Sequence, residues 1–255
     1  MITELRVEVL KLKRSLVLPL ALAAPLITAS LFYLIFNRMG TGVGRMGAAP
    51  MPWTLYADLP LRLWSFFMLP MAITGLVIIT SQVEHGPKAW NYILSLPTAR
   101  WRIFLAKAII VLGLTALMSV VLYLLLPLSG WIRGFNHKPM IGTFDWQAVG
   151  LTVARIYGAG VLLAVIQIWA SLRFRNVAAA LAVGIGGGVV SIAALFAAMI
   201  GGGGEPGAAV YFPWLMPTFA RGIDAASHQA LGLGLGVGLV ALVAMIVDLS
   251  RREVA

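Results

Sequence analysis

Apolar residues run along this chain in six blocks, at about 16–36, 61–81, 103–128, 149–172, 177–200 and 229–249. A helix needs about 20 residues to cross about 30 Å of hydrocarbon at its rise of about 1.5 Å per residue. The pattern therefore predicts six transmembrane helices. Ahead of them, residues 1–15 place Leu5, Val9, Leu12 and the following Leu16 at i, i+4, i+7 and i+11, with Arg6, Glu8 and Lys13 towards the other faces. This predicts an amphipathic helix capped by Thr3, lying on the cytoplasmic leaflet with Lys11, Lys13 and Arg14 at the headgroups. A solvated juxtamembrane tail is the alternative.

Between the second and third blocks, residues 82–107 gather charge, aromatic rings and helix punctuation. Gly86-Pro87 marks a helix start, since proline is tolerated where no N–H is needed. Trp90, Ile93 and Leu94 share one face over about two turns before Leu96-Pro97 ends the helix. Such an apolar face needs a partner surface or the bilayer interface. By contrast, the link after the fourth block is only Arg173 to Asn176.

The other links are of a different kind. Residues 37–60 and 129–148 are outer connections whose aromatic residues, Trp53, Tyr56, Trp131, Phe135, Phe144 and Trp146, suit an interfacial belt. Residues 205–228 contain an apolar core broken by Pro213 and Pro217, which predicts an outer re-entrant segment of one or two short half-helices. Gly184/Gly188, Gly232/Gly236 and Gly234/Gly238 have the spacing that lets helices approach closely, as intramolecular packing or as a dimer seam. The period-two run from Leu231 to Leu239 is assigned to a helix, because an unpaired strand in lipid leaves its backbone unsatisfied. Pro19, Pro25 and Pro70 predict kinks.

Composition places the chain in the membrane: of 255 residues, 60% are hydrophobic and 11% charged. The net charge of +10 comes from 19 Lys and Arg against 9 Asp and Glu. Most of the basic residues flank apolar blocks, which points to lipid headgroups and topology and away from nucleic acid. With the N-terminus inside, twelve basic residues, including Lys88, Arg100, Arg102 and Lys107, fall on the cytoplasmic side and seven on the outer side. The positive-inside rule then puts both termini in the cytosol. The first block is too long for a signal-peptide core, so the first helix is expected to stay in the mature protein.

No catalytic constellation emerges. The absence of cysteine removes disulfides and thiolate chemistry, and His85, His137 and His228 lie in links without metal-ligand spacing. Arg155 is expected to snorkel to the outer surface, and Asp248 to form a solvated helix-end ion pair beside Arg251 and Arg252. There is no phosphate-cradling loop, and the blocks carry no buried carboxylates for an ion path. If a solute moves, another chain must supply the energy.

Glu84, Gly86, Trp90, Leu94, Leu96, Pro97 and Arg100, set within this arrangement of helices, resemble the ABC-2 type transporter permeases, more narrowly the lantibiotic and bacitracin immunity group. The resemblance implies an all-α, type V exporter-like transmembrane domain over residues 1–255, with residues 1–15 as its elbow helix. It implies that residues 87–94 form a coupling helix docking on a separate ATPase, with Glu84, His85, Gly86, Pro87, Lys88, Trp90, Asn91 and Leu94 at the contact. Trp90 would be a buried anchor, with Trp90 and Tyr92 at the lipid interface as the alternative. Two ATPases, holding ATP and Mg, and a permease homodimer or heterodimer in a bacterial cytoplasmic membrane would form the transporter, and this chain would bind no cofactor itself. An amphipathic peptide antibiotic, lipid or drug would be exported or cleared. A non-transporting anchor or assembly factor recruiting a cytosolic partner is the other reading.

Overall fold

A computed structural model of the chain describes residues 2–12, 15–38, 51–85, 99–135, 140–174, 176–200 and 207–251. Helix α1 (Ile2–Leu12) precedes α2 (Val17–Arg38). Next come α3 (Trp53–Leu63), a π-helical turn at Trp64–Met68 and α4 (Leu69–His85) in one continuous helical run. Then follow α5 (Arg100–Phe135), α6 (Trp146–Arg173), α7 (Val177–Ile200), the short α8 (Met216–Phe219) and α9 (Ala225–Arg251). Six of these helical runs are long and apolar enough to cross a membrane, and the chain is a multi-pass membrane protein. The end of the bundle that carries α1 also carries the ends of α4, α6 and α9; the opposite end is called the far end below.

Three helices begin on side-chain caps. Asp145, Asn176 and Asp224 accept hydrogen bonds from the backbone N–H of Ala148 (2.9 Å), Ala178 (2.9 Å) and Ser227 (3.1 Å), at the starts of α6, α7 and α9. Each satisfies an amide that the helix itself leaves open, worth about 0.5–2 kcal/mol.

The second span starts earlier than its apolar block. Thr54, Asp58 and Arg62 dilute hydropathy before residue 61, yet Trp53, Tyr56, Ala57, Pro60 and Leu61 are buried on one helical face. Residues expected in a link are thus an amphipathic helix. The π turn adds a residue to the helical register and buries both Trp64 and Ser65, neither measurably exposed. Pro70 lies just past it, and Pro19 sits in the first turn of α2, where proline is tolerated. The third span is also longer than its block. At 36 residues α5 carries Trp131 and Arg133 within the helix.

α6 is the central span, with 61% of its apolar window buried, against 17% for α7 and 22% for α9. Around it pack Trp64, Leu69 and Ile73 from the second span and Met118 and Leu122 from α5. Between α7 and α9, a 3-10 turn (Gly207–Tyr211) and α8 fold back onto α6 and α9, burying Val210, Leu215, Met216 and Ala220. At the far end, β1 (Met51–Pro52) and β2 (Met140–Ile141) form a two-residue parallel bridge.

Candidate functional site

At the α1 end, amphipathic periodicity lays α1 against α5 and brings together a charged joint. Lys107, the eighth residue of α5, is 6% exposed. Its Nζ lies 3.9 Å from Glu8 Oε2, while Glu8 Oε1 accepts from Lys11 Nζ at 2.7 Å. A buried ammonium is costly unless paired. Beside this joint is a cavity of about 20 Å³ lined by Glu8, Lys11, Ser81 and Lys107, room for about one water. Lys107 was expected only to fall on the cytoplasmic side; its place inside an apolar block was the signal that it needed a partner within the protein.

α4 reaches this end with Thr80 and Ser81 against the same cavity. Glu84 and His85 form its last residues. Gly86, Pro87, Lys88, Trp90, Asn91 and Leu94, the rest of the expected docking helix, lie outside the described residues, and α5 resumes at Arg100.

Asp248 makes contacts that the sequence reading did not name. Its Oδ2 accepts from Arg173 Nη1 and from Trp169 Nε1, both at 2.8 Å. The carboxylate thus joins α9 to α6. The helix pair brings Arg173 and Trp169 across; Arg252, one of the two expected partners, lies outside the described residues. Deeper in the bundle, buried Gln167 donates from Nε2 to Thr74 Oγ1 (2.7 Å), and Thr74 donates to the carbonyl of Pro70 (2.9 Å). This polar pair links α4 and α6, and neither residue was singled out from sequence.

At the far end, Arg155 is held by protein. Its Nη1 donates to the carbonyl of Gly222 (2.6 Å) and its Nη2 lies 3.0 Å from His228 Nε2. His228 Nδ1 is 2.8 Å from the carbonyl of Asp224, so these partners are satisfied by the tautomer protonated at Nδ1. Arg221 donates to Asp58 Oδ1 at 3.0 Å and Arg62 to Oδ2 at 2.6 Å. Burial, followed by the charge of Arg62, pushes the Arg221 guanidinium down from its ordinary value, and Asp58 opposes this. Arg133, only 1% exposed, reaches Met140 Sδ at 3.4 Å, so it too is packed within the protein.

The aromatic belt divides in two. Trp53 and Phe144 are buried against one another edge to face at 5.4 Å, and Phe144 meets Trp146 at 4.9 Å. Trp131 and Trp146 remain exposed at the belt's height.

The glycine stripes fall on both sides of their helices. A Cβ on Gly234 would lie 2.5 Å from Ala159 Cα, and one on Gly238 would lie 3.1 Å from Leu162 N, so these two let α9 approach the α6 backbone. Gly184 fits against Thr74 and Gln167, Gly188 against Met71, and Gly187 under the indole of Trp214. Gly232 and Gly236 face open space. Among the described residues, no group of three or more His, Asp or Glu could hold a metal ion.

A family model described as "ABC-2 family transporter protein" matches residues 4–200. No curated protein and no solved structure matches the chain.

Proposed function

The chain belongs to the ABC-2 family of transporter proteins, and from that premise we propose that it is the membrane-spanning permease subunit of a transporter powered by a separate ATPase. Two ATPases, binding ATP and Mg, dock on two permease chains at the α1 end. That end faces the cytosol, and the assembly sits in a bacterial inner membrane. The docking element is the Pro87–Leu94 segment, with Glu84 and His85 leading into it and Trp90 as its aromatic anchor.

The observation that carries this reading beyond the family is the joint at the α1 end. The connection between α4 and α5 leaves from helix ends that share one cavity with α1 through Glu8, Ser81 and Lys107. A push on the connection therefore reaches the elbow helix and two spans together. The work done is export or clearance of an amphipathic solute such as a peptide antibiotic, lipid or drug.

The test is co-purification with the ATPase. Trp90→Ala and Glu84→Ala are expected to weaken its association while membrane insertion persists, because buried aromatic anchors dominate such contacts. Undiminished ATPase recovery with both variants would refute the docking assignment. ATP turnover that no solute stimulates would instead favour a membrane anchor.

A further inference from the structure

The far end holds a second place where charge and space coincide. α3, the start of α6 and the turn at Arg221-Gly222 enclose an open cavity of about 360 Å³. That lies within the roughly 300–1,000 Å³ of small-molecule sites.

The charges lining it are unbalanced in placement. Asp58 spends both oxygens on two guanidiniums, Arg62 through Nε and Arg221 through Nη1. The other lining carboxylate, Asp145, accepts the amide of Ala148 and faces the positive start of α6. Arg221 also donates Nε to the carbonyl of Thr218 at 3.3 Å. Among the described residues, both terminal nitrogens of Arg62 and Nη2 of Arg221 have no hydrogen-bond partner. Within this cluster, one carboxylate between two guanidiniums leaves a local surplus of positive charge, while Asp145 makes the lining as a whole formally neutral. Arg221, with 17% of its side chain exposed, holds its share in poor contact with water. The cavity's other wall is apolar, formed by Trp53, Ala57, Leu61, Phe144 and Val149.

We propose that this cavity binds the phosphate headgroup of an anionic amphiphile, Arg62 and Arg221 taking the phosphate oxygens and the Trp53–Phe144 wall taking the adjoining apolar chain. A carboxylate has two oxygens in one plane, a shape that one guanidinium fork matches. A phosphate presents acceptors in three dimensions and suits the Arg62 fork together with Nη2 of Arg221, which come from separate segments. Free phosphate shares the charged half of this chemistry and leaves the apolar wall unused. The site is a property of this chain and stands whether or not an ATPase drives it.

The experiment is calorimetric titration of the full chain, purified in a nonionic detergent, with dioctanoyl phosphatidic acid. Arg62→Gln is expected to weaken binding by about tenfold or more, and Arg62→Lys to weaken it less, keeping charge without the fork. The melting temperature should barely move, because the Arg62 side chain is 59% exposed. Displacement of the lipid by millimolar inorganic phosphate would support the phosphate as the recognised group. Three results would overturn phosphate recognition by this site. They are equal affinity for dioctanoylglycerol, which lacks the phosphate; unchanged affinity in Arg62→Gln; and tighter binding of a peptide with a free C-terminal carboxylate. Inorganic phosphate binding as tightly as the lipid would overturn the amphiphile and leave a free-phosphate site.

Discussion

Replacing Gly234 by alanine puts one methyl group where the structure has a helix backbone. The new Cβ would lie 2.5 Å from Ala159 Cα and 2.6 Å from its carbonyl oxygen, and contacts below 3.0 Å are essentially never seen for real Cβ atoms. To reach an ordinary 3.4 Å, α9 must retreat from α6 by about 0.9 Å. Because the obstacle is backbone, no side-chain rotation relieves it. Overpacking of this kind costs about 1–3 kcal/mol, and the gain of about 0.5–1 kcal/mol from removing a helical glycine offsets part of it. Gly236→Ala is the internal control. It lies two residues along the same helix, meets nothing within 4 Å, and should keep the whole propensity gain. The two variants should therefore differ by roughly 2 kcal/mol, Gly234→Ala being the weaker. Helicity followed through an SDS titration, or intrinsic tryptophan melting, measures this; the chain's lack of cysteine rules out thiol-reactive dyes. Equal midpoints would refute close α6–α9 packing. Destabilisation by Gly236→Ala instead, with loss of self-association, would place the seam between chains.

Two further substitutions probe the buried polar pairs. Thr74→Val should cost about 1–3 kcal/mol, because it strands the Gln167 amide, whereas Gln167→Met should cost less, since Thr74 keeps its bond to the Pro70 carbonyl; the reverse order in SDS unfolding would contradict the pairing. Glu8→Gln removes the described counter-ion of Lys107, and Lys107→Met in the Glu8→Gln background should recover most of the stability lost. A double-mutant cycle with no coupling would mean that the two charges are independent.

The spans were legible because hydropathy over about 20 residues is a strong signal, and in lipid only helices satisfy their own backbone. Their ends were less so. Trp53–Leu63 mixes buried aromatic residues with Asp58 and Arg62, so a hydropathy window sees a link where a helical face exists. Charged residues near the interfaces were sorted only by side of the membrane, with Arg155 expected to snorkel, and Lys107, Arg133 and Arg155 all turn out to be engaged by protein. Tertiary partners decide that choice, and partners distant in sequence leave no periodic trace. Asp248 makes the point most sharply, since one of its partners is an arginine 75 residues away. Of the glycines, spacing identified the candidates, but only packing separates Gly234 and Gly238 from Gly232 and Gly236.

The π turn at Trp64–Met68 gives the second span one residue more than an unbroken α-helix would need for the same rise. Each residue of an α-helix advances the face by about 100°. The faces of α3 and α4 are consequently set by separate neighbours, α3 by the far-end aromatic residues and α4 by Gln167 and the joint at α1. Deleting one residue from the turn would heal the helix and force those two sets of contacts out of phase. The extra residue thus works as a clutch plate, letting the two halves of one helix keep different partners without a break in the chain.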